Sequence, residues 1–187
     1  MAAIRALARC SPSTPMARVL RTCIVSRHLT PTVDTFYGTK GANYYFGRAY
    51  SVGADAHGNL YVAGALAAAY HGGSVWQWVV RKSSNGGSSW STVDTYQFSA
   101  SGNNQPTSFV ADSKGNLYVA GRVNTTYLGP NSWIVRENPG GTGSWSTVDN
   151  YQYVSAGDTQ PFAMAANASG NVFVGGAGSN RWLVRKK

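Results

Sequence analysis

Cysteine is nearly absent from this chain. Of 187 residues only Cys10 and Cys23 are cysteines, and both lie in the first 31. The rest of the chain therefore has neither disulfide staples nor a Cys-based zinc site. Charge is also scarce, with Asp, Glu, Lys and Arg making up 12% of residues. Acid is scarcer still: seven carboxylates in all, with Glu137 the lone glutamate. Chemistry that needs two opposed carboxylates is hard to assemble from so few. No apolar run approaches the roughly 20 residues of a membrane-spanning helix.

The formal charge of +9 is unevenly spread. Residues 1–31 hold Arg5, Arg9, Arg18, Arg21 and Arg27, and the first acid is Asp34. Beyond residue 31, eleven Lys and Arg face seven acids, a balance of +4 with no basic stripe. Nucleic-acid binding is not expected from that pattern. Arg5 and Arg9 interrupt the apolar stretch that a secretory signal needs. The Arg-rich, acid-free, Ser-containing composition is closer to that of a transit peptide. The reading preferred to a transit peptide is a disordered or non-native extension over residues 1–31, set apart from the fold.

What the chain has in quantity is Gly, Tyr and Trp, and they recur in register. DAHGNLYVAG at Asp55 returns as DSKGNLYVAG at Asp112 and NASGNVFVGG at Asn167. WVVRK at Trp78 returns as WIVRE at Trp133 and WLVRK at Trp182. TVDTF at Thr32 returns as TVDTY at Thr92 and TVDNY at Thr147. Each unit resolves into four short runs rich in Val, Tyr, Phe and Trp, separated by Gly, Asn, Asp and Ser. In order they are an opening run (AYSVGA, PTSFVA, PFAMAA), the NLYVAG run, the Trp-x-Val-Arg run and the WSTVD run. In the D/N-x-x-G-N link, the Asx side chain bonds the backbone two residues on, and Gly58, Gly115 or Gly170 supplies positive φ. Such a link joins antiparallel neighbours. The NLYVAG run is apolar on both faces, so its sheet is covered on both sides.

Four antiparallel strands, repeated and stacked face to face, make an all-β β-propeller, with about three blades in this chain. The expected layout is a lone outer strand at 32–37, blades at 49–97 and 106–152, and a partial blade at 161–187. Asp34, Asp94 and Asp149 recur on the outer strand, where a charge would deter edge pairing.

The turn SSNGGSSW, Ser83 to Trp90, resembles the Asp box S-x-D-x-G-x-T-W, with Asn85 for Asp and Ser89 for Thr. NPGGTGSW, Asn138 to Trp145, is a degenerate copy. The motif marks bacterial-neuraminidase-repeat propellers of the sialidase superfamily, where it sits in this same turn. The resemblance implies a structural role for Ser83, Asn85, Gly87, Ser89, Trp90 and Trp145. It also implies that Trp90 packs between strands, so that its truncation costs about 3–5 kcal/mol. Active members use an arginine triad, a Tyr–Glu nucleophile pair and an Asp acid/base. Here Glu137 lies beside a recurring Arg on the approach to a turn, at the wrong end of the blade. No catalytic residue is therefore assigned. Related propellers are secreted or envelope-associated, which leaves the compartment of this chain open.

The regular turns share one end of the blades; the variable loops share the other, where binding functions gather on rigid scaffolds. Tyr44, Tyr45, Trp76 and Tyr127 could stack on sugar rings or apolar ligands, and Arg48, His71, Asn103, Arg122 and Asp158 could set polarity. His71 is read as a loop residue, not a metal ligand. Asp55 and Asp112 each bring one carboxylate, against the six to eight oxygens that calcium takes. Neither a metal nor a cofactor is expected. The reading is a non-catalytic recognition or scaffold module for a glycan or a protein. The alternatives are a fragment of a sialidase-like glycoside hydrolase, or a structural repeat of a cell-surface protein. Three blades leave a ring open, so a head-to-tail homodimer or a fragment of a longer propeller is expected. Two chains would supply six blades, the number in the family that the motif resembles.

Overall fold

The computed structural model describes residues 32–36, 46–70, 73–155 and 157–187. The expectations for residues 1–31, Tyr44, Tyr45 and His71 fall outside them. Among the described residues, eleven strands form three antiparallel sheets. The first sheet is β1 (Gly47–Ala54), β2 (Leu60–Tyr70), β3 (Gly73–Ser83) and β4 (Ser91–Tyr96). The second is β5 (Asn104–Ala111), β6 (Leu117–Val123), β7 (Ser132–Asn138) and β8 (Ser146–Tyr151). The third is β9 (Thr159–Ala166), β10 (Val172–Gly178) and β11 (Arg181–Lys186), with no fourth strand among the described residues. Strands pair in chain order within each sheet, which makes each one a meander blade.

The D/N-x-x-G-N link sets the pairing. The Asp112 carboxylate accepts from the amides of Lys114 (2.8 Å) and Asn116 (2.9 Å) and from the Asn116 side chain (2.9 Å), while Gly115 takes φ 83°. Asp55 and Asn167 repeat the arrangement around Gly58 and Gly170. Each turn is thereby satisfied within itself, and the two strands it joins leave it antiparallel.

The blades stack through their alternating faces. Tyr61, Ala63, Trp78 and Val80 of the first blade bury against Phe109, Leu117 and Val119 of the second. Tyr118, Ala120, Trp133 and Val135 repeat this against Val172 and Val174 of the third. Each indole lies over a glycine of the next blade. A Cβ on Gly121 would sit 2.3 Å from the Trp78 ring, and one on Gly176 would sit 2.5 Å from the Trp133 ring. On the inner strands, Ser51 Oγ accepts from the Phe109 amide and Ser108 Oγ from the Met164 amide, both at 3.0 Å.

Outer strands are latched by ion pairs. Asp94 of β4 takes both its bonds, each 2.8 Å, from Arg136 of the next blade. Asp149 does the same with Arg185, and Asp34 with Arg81. Each guanidinium also lies over the aromatic ring two residues beyond its aspartate: Arg81 over Phe36, Arg136 over Tyr96, Arg185 over Tyr151. The expectation that these aspartates deter edge pairing is thus corrected, because they join blades. The reason is a register shift between Val80 and Arg81, where Val93 bulges out of the β3–β4 ladder. Two residues apart on a regular strand, Thr92 and Asp94 would share a face. The bulge lets Thr92 meet Arg81 of its own blade while Asp94 turns to Arg136 of the next. Val148 bulges at the same place in β8.

Two further expectations change. Thr32–Phe36 was expected as an outer strand, yet it is in no sheet ladder and is held to the first blade by the Asp34–Arg81 latch. Trp90 was expected in the core, but it is only half-buried and lines an open apolar cavity on the first blade. Trp145, at the same register, packs against the core between blades one and two.

Candidate functional site

At the end opposite the regular turns, the loops around the second blade interlock. Residues 97–103 lead into β5, 124–131 join β6 to β7, and 152–158 lead into β9. Ser99 and Ser101 hydroxyls both donate to the Thr125 carbonyl, at 2.7 and 2.8 Å. The Asn103 amide donates to Asn124 Oδ1 at 2.6 Å, and its side chain donates to the Tyr127 carbonyl at 3.2 Å. Asn103 Oδ1 accepts from the Trp76 amide at 2.9 Å, which ties in the first blade. Any side chain at Gly102 would run into the Asn124 carbonyl, with a Cβ only 1.7 Å away. Asp158 accepts from the Asn131 amide at 2.7 Å and its side chain at 3.0 Å.

These bonds shape a cavity of about 570 Å³ lined by Trp76, Asn103, Arg122, Tyr127, Asn131 and Asp158, among others. That lies within the ~300–1,000 Å³ of small-molecule sites. Arg122 is among its lining residues. Its Nε and Nη2 donate to Gln105 Oε1 at 2.8 and 2.5 Å, and its Nη1 donates to Gln160 Oε1 at 3.0 Å. A guanidinium has five N–H donors, and these bonds use three of them. Tyr127 and Leu128 are exposed at the rim. Arg48 is not a lining residue of this cavity. Its guanidinium lies 5.2 Å from the centre of the Trp76 ring.

Of the nine ligand-site residues expected from sequence, five line one cavity: Trp76, Asn103, Arg122, Tyr127 and Asp158. Arg48 does not line it, and Tyr44, Tyr45 and His71 are outside the described residues. Sequence reading missed Gln105 and Gln160, which aim Arg122. Their signal was a recurring Gln-Pro at the start of β5 and within β9. Asn124 and Asn131 lacked any such repeat.

At the other end, Ser83 to Trp90 forms a self-bonded turn. Ser83 Oγ donates to Asn85 Oδ1 at 2.9 Å and accepts from the Gly87 amide at 2.9 Å. Asn85 Oδ1 accepts from the Ser89 amide at 2.9 Å, and Trp90 Nε1 donates to the Gly87 carbonyl at 3.2 Å.

Six of the seven carboxylates are committed away from the cavity. Asp34, Asp94 and Asp149 form latches. Glu137 accepts from the Tyr118 hydroxyl at 2.8 Å and pairs with Lys187. Asp55 and Asp112 hold turns. Burial alone would raise the Asp112 carboxyl, but bonds from Asn116, Lys114 and Tyr118 outweigh it and keep it below the ordinary carboxylate range. Asp55 is lowered in the same way, with Asn59, Tyr61 and His57 as donors opposing burial. Only Asp158 faces the cavity. Among the described residues, no cluster of three or more His, Cys, Asp or Glu could hold a metal.

Neither a family model nor a curated protein matches the chain in sequence. Solved structures do match its fold. It is similar to the GH93 α-L-arabinofuranosidase of Fusarium graminearum in complex with arabinobiose, with TM-score 0.58 and 12% identity over 74% of this chain and 45% of that one. It is also similar to the α-L-arabinanase of Penicillium chrysogenum complexed with arabinobiose, with TM-score 0.56 and 14% identity over 74% and 44% of the two chains. A protein of unknown function from Dyadobacter fermentans gives TM-score 0.56 and 12% identity over 78% and 48%. The first two are β-propeller glycoside hydrolases, and the likeness establishes a β-propeller fold here. The chain spans less than half the length of each.

Proposed function

We propose that this chain is a non-catalytic carbohydrate-recognition part of a β-propeller, with its ligand in the loop-end cavity. The observation that carries the reading is the distribution of carboxylates. Glycoside hydrolysis of the usual kind places two carboxyl groups across the scissile bond. This chain brings Asp158 alone to the cavity and spends the other six on scaffold. The cavity instead combines the Trp76 and Tyr127 rings with the planar donors and acceptors of Asn103, Arg122, Asn131 and Asp158. Aromatic faces take the apolar side of a sugar ring, and planar polar groups take its hydroxyls.

The Ser83–Trp90 turn, and its relative at Trp145, read as Asp boxes of the neuraminidase-repeat kind with a purely structural role. A second reading is favoured by the propeller neighbours, which act on arabinose-containing substrates by their titles. In it, the chain supplies one wall of a glycoside-hydrolase site whose other carboxylate lies on blades outside this sequence. A glycan array with parallel aryl-glycoside assays separates the two. Binding to a defined glycan set without turnover is the expected result. Turnover by this chain alone overturns the recognition reading.

A further inference from the structure

The two outermost blade faces are apolar and uncovered, and they are complementary. Trp78 and Trp133 are each 0% exposed under the next blade, whereas Trp182, at the same register, is 87% exposed. Phe173 and Val184 stand at the registers of Tyr118 and Val135 and are exposed too. On the first blade, Val52 stands at the register of Phe109 and is 71% exposed. It borders a cavity of about 470 Å³ walled by Leu60, Val62, Gly64, Val79 and Trp90. Gly64 occupies the register of Gly121 and Gly176, the glycines on which Trp78 and Trp133 rest. The chain thus shows an indole without a glycine at one end and a glycine without an indole at the other.

The outer strand tells the same story. Among the described residues the third sheet has no fourth strand, and Thr32–Phe36 is in no sheet. Yet Thr32–Phe36 already makes the bonds that an outer strand makes to the following blade, through Asp34 and Phe36 to Arg81. Among the described residues it has no partner strand of its own.

We infer that a second copy of this chain covers both faces, head to tail, so that the two copies close one ring. The Trp182 indole of each copy then rests on Gly64 of the other. Thr32–Phe36 of each copy becomes the fourth strand beside β11 of the other. The observed pairs Arg81↔Thr92, Val80↔Asp94 and Trp78↔Tyr96 set the register. They translate to Arg185 opposite Thr32, Val184 opposite Asp34 and Trp182 opposite Phe36. Three blades from each copy make six, within the four to eight that close a propeller, and two identical heterologous contacts then leave no face open. Ala163 stands where Ser51 and Ser108 bond the next inner strand, so each joint between copies has one bond fewer.

Light scattering on the full chain tests this. The expected mass is twice 19.9 kDa. Trp182→Arg and Val52→Asp alter residues that are exposed in the single copy, so each variant should keep the circular-dichroism spectrum and halve the mass. A monomeric wild type, a larger or polydisperse assembly, or a dimer that survives either substitution overturns the inference. Survival of Val52→Asp alone would mean that one face pairs with itself.

Discussion

The latch between Asp94 and Arg136 gives the sharpest test of how the blades are held. Their side chains are 6% and 9% exposed, and both carboxylate oxygens are bonded. Asp94→Ala would leave Arg136 with only the Thr147 hydroxyl and the Trp145 carbonyl, each at 3.3 Å, and the Tyr96 ring. Removing one partner of a buried ion pair costs about 3–5 kcal/mol, and those residual contacts favour the lower end. Asp149→Ala breaks the same latch where Arg185 is 36% exposed, so water takes over and the cost falls to about 1 kcal/mol. With an m-value of about 2 kcal/mol per molar urea, the midpoints should drop by roughly 1.5 M and 0.5 M respectively. The double variant Asp94→Ala/Arg136→Met should recover part of the loss, because the stranded charge is gone. Equal midpoints for the two single variants would refute the claim that burial sets the strength of these latches.

Other outcomes follow from the same contacts. Gly121→Ala should destabilise by about 3 kcal/mol in urea melts, since its Cβ would meet both the Trp78 ring and the Gln105 carbonyl at 2.3 Å. The folded-state pKa values of Asp55 and Asp112 lie below the unfolded value of 3.8. Their stabilisation is therefore complete above pH 3.8 and is lost as pH falls through the folded values. Urea midpoints between pH 5 and 2 should decline less steeply in Asp112→Asn than in the wild type. Arg122→Met should cut glycan-array signal at least tenfold while the circular-dichroism spectrum is kept, because Gln105 and Gln160 sit on paired strands that hold without it.

Much of the fold was legible because its signals are local. A D-x-x-G-N turn satisfies itself within five residues, and the Trp-x-Val-Arg run announces its strand without reference to partners. The latches were not legible in the same way. Asp94 and Arg136 are 42 residues apart, and the face that Asp94 presents depends on the bulge at Val93. On a regular strand it would be an edge charge. Trp90 and Trp145 look alike in sequence but differ in surroundings, because only one has a preceding blade beside it. At the loop end, aromatic and polar residues could be named from loop position alone. Their convergence on one cavity needed the Asn103 bonds to Trp76, Asn124 and Tyr127, which cross three segments.

The most direct measurement of the recognition reading compares the glycan-array profiles of the wild type and Tyr127→Ala. Tyr127 is 57% exposed at the cavity rim, so its loss should change stability by no more than about 0.5 kcal/mol. A ligand stacked on its ring should lose about 1.4 kcal/mol, a tenfold drop in affinity. The account predicts a defined set of bound glycans whose signals all weaken together in the variant. No binding by the wild type, or a profile unchanged by the substitution, would contradict it.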